Sequence, residues 1–329
     1  MSKIRVGILD FCNIQNAERS SINMSRAKSE IYKPSLKGYA LLSSAIKKLG
    51  HQPIIYYPEH CQLLFDYDRP EILYKGKLVK GCDVVIPRIN VVSNIDLEIS
   101  VIKQFELKGI PVVNSYFAIS QALNKLRVLQ ILTKAGIRVP KTVVVRRFEY
   151  LDDSLKMLGG YPVILKTVFG THGKGVAIIE SRRSLYSALD ILWKYSSSSL
   201  MLIQEYIADS ENADYRAFVI GNKVVASMKR VAAFGDFRSN LNLGGKATAA
   251  RLTKEEEKMA ISAARAMGLD SCGVDILRTK NGPLVMELNP CAGLVGIGKA
   301  SGVDVPTELI KYALSLVKKS GKRNSRLEF

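Results

Sequence analysis

Between Asp275 and Asn289 the chain reads Asp-Ile-Leu-Arg-Thr-Lys-Asn-Gly-Pro-Leu-Val-Met-Glu-Leu-Asn. Glu287 and Asn289 are two residues apart, so on a strand their side chains share a face. The flanking Val274, Ile276, Leu277, Leu284, Val285, Met286 and Leu288 are apolar. The hairpin therefore lies against a core, where a carboxylate without a partner is costly. Hard oxygen ligands converging on one point suit Mg²⁺, usually held together with substrate phosphates. A three-residue loop Lys280-Asn281-Gly282, with Gly in the left-handed conformation, sets Asp275 opposite Glu287 on that face. A two-residue Asn-Gly turn sets them on opposite faces, so the metal reading requires the longer loop. A hairpin whose polar end is merely satisfied by its neighbours accounts for the same residues equally well.

Three further segments carry groups that bind anions or bases. Pro162-Val-Ile-Leu-Lys166 is a strand ending in a lysine, followed by the glycine-rich Gly170-Thr-His-Gly173-Lys-Gly175. Glycines let backbone N–H groups approach phosphate oxygens, and the lysine supplies charge. The segment lacks the G-K-[ST] of a Walker A loop. Leu202-Ile-Gln204-Glu205-Tyr206-Ile207 is an apolar strand ending in polar groups; at a lobe junction its backbone can pair with an adenine edge, and an ordinary strand terminus fits as well. Gly235-Asp-Phe-Arg238-Ser239-Asn240 is short and polar. Its Arg238 and Asn240 suit phosphate or carboxylate oxygens, with a plain surface loop as the alternative. Asp214 and Arg216 alternate on a strand and read as an ion pair, worth little if exposed. Lys229-Arg230 adds positive charge nearby.

The elements that must position these groups alternate. Strands are expected at Ile4–Leu9, Gln52–Tyr57, Ile72–Tyr74, Val84–Pro87 and Val112-Val113, with helices over Leu36–Leu49 and Asn94–Lys108 ending at Gly50 and Gly109. This alternation predicts one open, mostly parallel sheet over 1–114. A helix is expected over Ser120–Ala135, then strands at Thr142–Val145 and Val163–Lys166 and helices at Tyr150–Leu158 and Ser184–Tyr195. Ser196–Ser199 reads as a lobe boundary. Beyond it lie strands Leu200–Gln204, Ala213–Ile220 and Lys223–Arg230, the helix Lys254–Met267 capped by Thr253, and a closing helix Pro306–Lys318. Gly7 is not part of a G-x-G-x-x-G fingerprint, which argues against a dinucleotide site.

The chain has 329 residues, 47% of them hydrophobic, enough for two or three packed domains. With 48 Lys+Arg against 30 Asp+Glu its net charge is +18. That excess favours an acidic partner, such as nucleotide phosphates, acidic peptides or RNA and the ribosome; solubility alone is the plainer explanation. Five cysteines without C-x-x-C spacing and only three histidines argue against zinc clusters, disulfide frameworks and a Ser-His-Asp triad, and fit a reducing cytoplasm. No apolar run approaches the ~20 residues of a membrane span, and the start has no signal-peptide core.

The ordered series of lysine, glycine-rich loop, Gln204-Glu-Tyr-Ile207, Asp214-Tyr-Arg216, Asp236-Phe-Arg-Ser-Asn240 and Asp275…Glu287-Leu-Asn289 resembles the ATP-grasp superfamily, and within it the RimK-like branch. Asp83-Val-Val-Ile-Pro-Arg88 and Asn124-Lys125-Leu-Arg127 add to the likeness, which runs from about Leu36 to Asp304. The resemblance implies an α/β fold with α+β lobes: a pre-ATP-grasp open α/β domain (1–114), a central lobe with a glycine-rich lid loop (115–199) and a C-terminal lobe with the metal hairpin (200–329), the two lobes clasping ATP. It implies that Lys125 and Lys166 contact the phosphates, with Gly173 and Gly175 in the lid. Gln204, Glu205, Tyr206, Ile207 and Asp214 would hold the adenosine part. Arg238, Ser239 and Asn240 would sit at the phosphate and acceptor-carboxylate end. Asp275, Glu287 and Asn289 would bind two Mg²⁺ ions, for which Mn²⁺ can substitute.

The activity this implies is carboxylate–amine ligation through an acyl phosphate, with Arg230 and Arg238 as the candidates to steady that anion. The leading expectation is an amino acid, glutamate first, added to the carboxylate of an acidic peptide or a protein C-terminus, with a ribosomal protein among the candidates. The alternatives are ligation to a small-molecule or coenzyme carboxylate, and a basic RNA- or ribosome-binding protein with a degenerate ATP-grasp fold. Intact Lys166, Asp275, Glu287 and Asn289 argue against the last. By analogy with relatives, a homo-oligomer, dimer or tetramer, is expected. Three segments depart from the family pattern: Pro290-Cys291-Ala292-Gly293, Val231-Ala232-Ala233-Phe234, and the polar stretch Asn13–Lys33. All three bear on amine and acceptor choice.

Overall fold

A computed structural model describes residues 3–11, 38–67, 69–89, 95–170, 175–195 and 200–324. The Asn13–Lys33 stretch, the Ser196–Ser199 segment and Gly173 lie outside the described residues.

β1 (Arg5–Asp10) pairs in parallel with β2 (Gln52–Tyr56), which follows the helix 38–48 (α1). β3 (Cys61–Asp66), β4 (Arg69–Tyr74) and β5 (Lys77–Leu78) then form a separate antiparallel sheet, and β6 (Val84–Arg88) returns to the other side of β1. The single open sheet expected over 1–114 is therefore two sheets. Lys75 and Gly76 both adopt positive φ (51° and 77°) between the paired Tyr74 and Lys77. This is a two-residue hairpin turn, and it folds 72–74 back onto β3 and away from the parallel sheet. Val112 adds only an isolated bridge to Val85. Gly7 has a packing reason: a Cβ there would meet Cys82 Sγ at 2.8 Å and Tyr56 and Val85 at 3.1 Å.

α2 (Ile95–Leu107) covers this sheet. The helix expected over Ser120–Ala135 is instead two, α3 (Tyr116–Ala122) and α4 (Lys125–Lys134). Asn124 breaks it: its backbone is extended, and its side chain accepts from the Arg127 N–H as the N-cap of α4. The break places Lys125 at the first turn of a helix.

The central lobe is an antiparallel sheet of β7 (Thr142–Val145), β8 (Val163–Thr167), β9 (Val176–Ile179) and β10 (Met201–Glu205), in the order β7-β10-β8-β9. α5 (Leu151–Leu158) and α6 (Arg182–Tyr195) bury Leu151, Leu155, Leu185 and Leu189 against its Val163, Leu165 and Ile203. β10 thus belongs here and not to the C-terminal third, where the Ser196–Ser199 boundary had grouped it.

The C-terminal sheet comprises β11 (Ala213–Ile220), β12 (Lys223–Val231), β13 (Lys246–Ala249), β14 (Ser271–Leu277) and β15 (Leu284–Asn289), in the order β13-β12-β11-β14-β15. On one face α7 (Lys254–Ala266), held by a Thr253–Glu256 capping box, packs beside α3 and α4, with Leu132, Ala260 and Ala264 against Ala217, Val274 and Ile276. Helices α3 and α4, grouped by sequence with the central lobe, therefore share the core of the C-terminal sheet. On the opposite face α8 (Leu294–Ser301) and α9 (Val305–Asn324) pack on Phe218 and Met228, and this core continues into Val6, Ile8 and Val84 of the parallel sheet. No helix among the described residues is long and apolar enough to cross a membrane.

Asn114 locks these layers. It is buried, donates to the carbonyls of Ser271 (2.7 Å) and Pro290 (2.8 Å), and accepts from the Ser271 N–H (2.7 Å). Arg88 donates to the Ala292 carbonyl at 3.1 Å, so the loop after Asn289 is held from the parallel sheet. Asn114→Ala should cost about 2–4 kcal/mol in urea unfolding, because it orphans one buried N–H and removes a donor from two carbonyls; an unchanged midpoint would show that the lock is dispensable.

Candidate functional site

Four charges cross the C-terminal sheet as direct cross-strand partners. Asp214 of β11 faces Arg230 of β12, and Arg216 of β11 faces Asp275 of β14. Asp214, Arg216, Phe218 and Ile220 fall on one face by the period of two. Its apolar half lies under α8 and α9, and its charged half opens into a cleft between this sheet and the central lobe. Arg230 forks onto Asp214 with two bonds of 2.6 Å and reaches Asp275 Oδ2 at 2.9 Å. Arg216 forks onto Asp275, also at 2.6 Å twice. Ser239 donates to Asp214 Oδ2 at 2.5 Å. Arg230 is 2% exposed, and Asp214 and Asp275 are 1% exposed. Burial pushes the Asp275 carboxyl up, but Arg216 and Arg230 together outweigh it and hold it below the ordinary carboxylate value.

The hairpin delivers the expected face by a different turn. The connection is six residues, Arg278–Pro283, and not the three-residue Lys280-Asn281-Gly282 loop. Near the turn Leu277 pairs with Leu284 and Ile276 with Val285; the register then shifts, leaving Met286 unpartnered, and Asp275 faces Glu287. That bulge restores the register which a three-residue loop would have set. Gly282 does take the left-handed conformation, at φ 99°. Asn289 Nδ2 donates to Asp275 Oδ2 at 3.3 Å, leaving its amide oxygen as an acceptor. Asp275, Glu287 and Asn289 thus gather two carboxylates and an amide on adjacent strands, a hard-oxygen set that fits Mg²⁺. Among the described residues no group of three or more His, Cys, Asp or Glu side chains is arranged to hold a metal.

The central lobe supplies one lysine to the cleft and α4 the other. Lys166 ends β8, and its Nζ donates to Gln204 Oε1 at 2.6 Å, while Gln204 Nε2 donates to Thr142 Oγ1 at 2.8 Å. Burial, with a lesser push from Lys125, lowers the Lys166 ammonium to about 8 against the pull of Glu287. Lys125 Nζ donates to the Gly170 carbonyl at 2.7 Å and lies 3.9 Å from Glu287 Oε1. Glu205 Oε1 accepts from the Lys141 N–H at 2.7 Å, and Tyr206 donates to Asn212 Oδ1 at 2.9 Å. These bonds order the chain between the two sheets.

Lys125, Lys166, Gln204, Glu205, Tyr206, Ile207, Asp214, Arg230, Arg238, Ser239, Asn240, Asp275, Glu287 and Asn289 all line this one cleft. Gly175 does not line it, and Gly173 lies outside the described residues. Two of these side chains already have protein partners. Asp214, expected at adenosine, has its carboxylate committed to Arg230 and Ser239. Arg230, expected to steady an anion, is itself committed to two carboxylates. Arg238 sits at the rim, forked with Asp236 of its own loop. The sequence reading missed the apolar walls Ile164, Val176, Leu202 and Met286. Ile164 is two residues before Lys166, and Leu202 two before Gln204, so the strand period marked both for the cleft face. Arg216, expected to form a plain ion pair with Asp214, is 12% exposed at its side chain and instead clamps Asp275.

Comparison with known proteins agrees with this geometry. A family model described as RimK-like ATP-grasp domain matches residues 122–313, and one described as RimK PreATP-grasp domain matches 32–119. The chain is 41% identical to a probable alpha-L-glutamate ligase of Maridesulfovibrio salexigens, over 82% of this chain and 89% of that protein. It is 40% identical to probable alpha-L-glutamate ligase 2 of Pseudoalteromonas atlantica, over 87% and 93%. Among solved structures, the ATP-grasp ligase PsnB complexed with minimal precursor superposes with TM-score 0.69 at 19% identity, covering 96% of this chain and 99% of that one. The D-alanine–D-alanine ligase of Bacillus anthracis complexed with ATP gives 0.67 at 16%, covering 98% and 99%. These two likenesses establish the fold.

The buried charge row predicts its own fragility. Arg230→Met should destabilise the protein by about 3–5 kcal/mol at pH 7, because it strands Asp214 and weakens the hold on Asp275. Asp275 is held below its unfolded value, so its stabilisation is present above about pH 4 and is lost as pH falls through the folded value. The deficit measured by urea unfolding should therefore shrink towards pH 3; a deficit independent of pH would locate the damage in packing.

Proposed function

The chain belongs to the RimK-like ATP-grasp family and is an ATP-dependent ligase that forms C–N bonds, and we propose that it adds glutamate to the carboxylate of a protein or peptide acceptor. The observation that carries this reading is the convergence of Lys125, Lys166, Asp275, Glu287 and Asn289 on one cleft. The names of the 40%-identical relatives support glutamate as the amine. The solved complexes of a ligase of this fold with a precursor peptide support a peptide acceptor.

In this reading the nucleotide base lies among Ile164, Val176, Leu202 and Met286, beside the Glu205–Ile207 backbone, and its phosphates reach Lys166 and Lys125. The acceptor carboxylate attacks the terminal phosphoryl group, giving an acyl phosphate and ADP. The glutamate amine then attacks the acyl carbon, and phosphate leaves as the amide forms. Asp275, Glu287 and Asn289 would hold Mg²⁺, which would supply positive charge to neutralise the phosphates. Arg238, at the rim with Ser239 and Asn240, meets the acceptor end; Asp236 fixes its fork. Arg230 acts by holding Asp214 and Asp275 in place.

The test is ADP release with Mg²⁺-ATP across the twenty amino acids, with acidic peptides and with small carboxylates as acceptors. Release with glutamate and a peptide is expected, and Asp275→Asn or Glu287→Gln should reduce it by about 10² or more with the circular dichroism spectrum unchanged. Release with small carboxylates alone would replace the peptide assignment. A second prediction concerns pH. Lys166 is a cation below its value of about 8 and neutral above it, and phosphates bind the cation. Mg²⁺-ADP affinity should fall about tenfold between pH 7 and pH 9, and Lys166→Met should flatten that profile; a slope that persists in the variant would assign it elsewhere.

A further inference from the structure

We propose that Arg216 is the stand-in cation of the Asp275 site: it occupies the carboxylate until nucleotide arrives, and so makes divalent-metal entry depend on the nucleotide. This rests on the reading of Asp275, Glu287 and Asn289 as metal ligands. Asp275 Oδ2 receives Arg216 Nη2 at 2.6 Å, Arg230 Nη2 at 2.9 Å and Asn289 Nδ2 at 3.3 Å. Three donors saturate a carboxylate oxygen. Oδ1 receives Arg216 Nε at 2.6 Å. A divalent ion bound at Asp275 must therefore displace a donor, and until it does it meets two guanidinium charges.

Arg216 is the exchangeable donor. Arg230 is anchored by its fork on Asp214 and is 3% exposed at its side chain, whereas the only carboxylate that Arg216 grips is Asp275, and its side chain is 12% exposed. The fold also keeps a lane for it. A Cβ on Gly273 would meet Ala292 Cβ at 2.8 Å and Arg216 Cδ and Nε at 3.3 Å, so the missing side chain makes room both for the loop after Asn289 and for the arginine stem across β14. A free metal ion brings only positive charge to this arrangement. A metal ion carried on nucleotide phosphates brings the anions that a displaced guanidinium needs.

The experiment is Mn²⁺ binding to the full chain, read from depletion of the free-ion electron paramagnetic resonance signal, with and without ADP. Nucleotide-free wild type should bind Mn²⁺ weakly and ADP should tighten it. Arg216→Met should bind Mn²⁺ without nucleotide about tenfold or more tightly than wild type, as expected on removing a unit charge beside a divalent ion. Arg216→Lys, which keeps the charge, should stay near wild type. A folded Arg216→Met with wild-type Mn²⁺ affinity would overturn the inference while leaving the ligase reading intact. Should that variant not fold, wild type alone decides: nucleotide-free binding as tight as binding with ADP overturns it. No Mn²⁺ uptake by wild type even with ADP would instead remove the metal assignment itself.

Discussion

The cross-strand row Arg230–Asp214 and Arg216–Asp275–Glu287 is the constraint on which the other layers depend. Its members sit on one face of four adjacent strands, and three of them, Asp214, Arg230 and Asp275, are almost wholly removed from solvent. Buried charges of this kind are tolerated only when paired with good geometry. A slip of one residue in β11 would turn Asp214 and Arg216 into the core of α3, α4 and α7, and would bring Ala217 and Val219 out to α8. The charge row therefore fixes the register of the sheet, and the register fixes where every cleft residue points.

That row has to be covered without being sealed. The parallel sheet and its Asn114 and Arg88 hold the Pro290–Ala292 turn, which continues directly from Asn289. The central lobe closes the opposite side with Lys166 and Gln204, whose strands face each other in register, Leu202 with Lys166 and Gln204 with Ile164. It has its own core, whereas the parallel sheet shares one with the C-terminal sheet. The metal side of the cleft is thus built into a continuous double-sheet body, and the base side into a separately packed lobe. A cleft between two independently packed bodies can open and close without unfolding either core.

Much of this was legible before any coordinates. Short-range rules worked: the period of two identified the shared face of Glu287 and Asn289, and the Thr253 cap and the Gly50 and Gly109 stops placed helices. The failures are those where a non-local partner decides. The hairpin turn was misjudged because a bulge at Met286 compensates for a longer loop, and a bulge is invisible in composition. The strand at 201–205 was grouped by the serine run before it, yet pairing with β7 and β8 decides its lobe. Arg216 looked like a partner of Asp214 because nothing in Asp-Tyr-Arg tells that Asp275, fifty-nine residues on, lies opposite it. Asp214 and Arg230 both line the cleft, and their pairing with each other was not legible, since sequence shows a charge and not its partner.

The charge balance of the cleft differs from that of the chain. The whole sequence carries +18, yet the cleft lining sets four cations, Lys125, Lys166, Arg230 and Arg238, against four anions, Glu205, Asp214, Asp275 and Glu287. A nearly neutral cleft holds no strong field for a bare polyanion, nor one for a bare divalent cation. Within it the charges are segregated, with Lys166 on the central-lobe side and the carboxylates Asp275 and Glu287 on the hairpin, while Lys125 of α4 stands 3.9 Å from Glu287. A ligand that is itself segregated in this way, phosphates at one end and metal at the other, satisfies both walls at once, and each wall stabilises the half of the ligand that the other wall opposes.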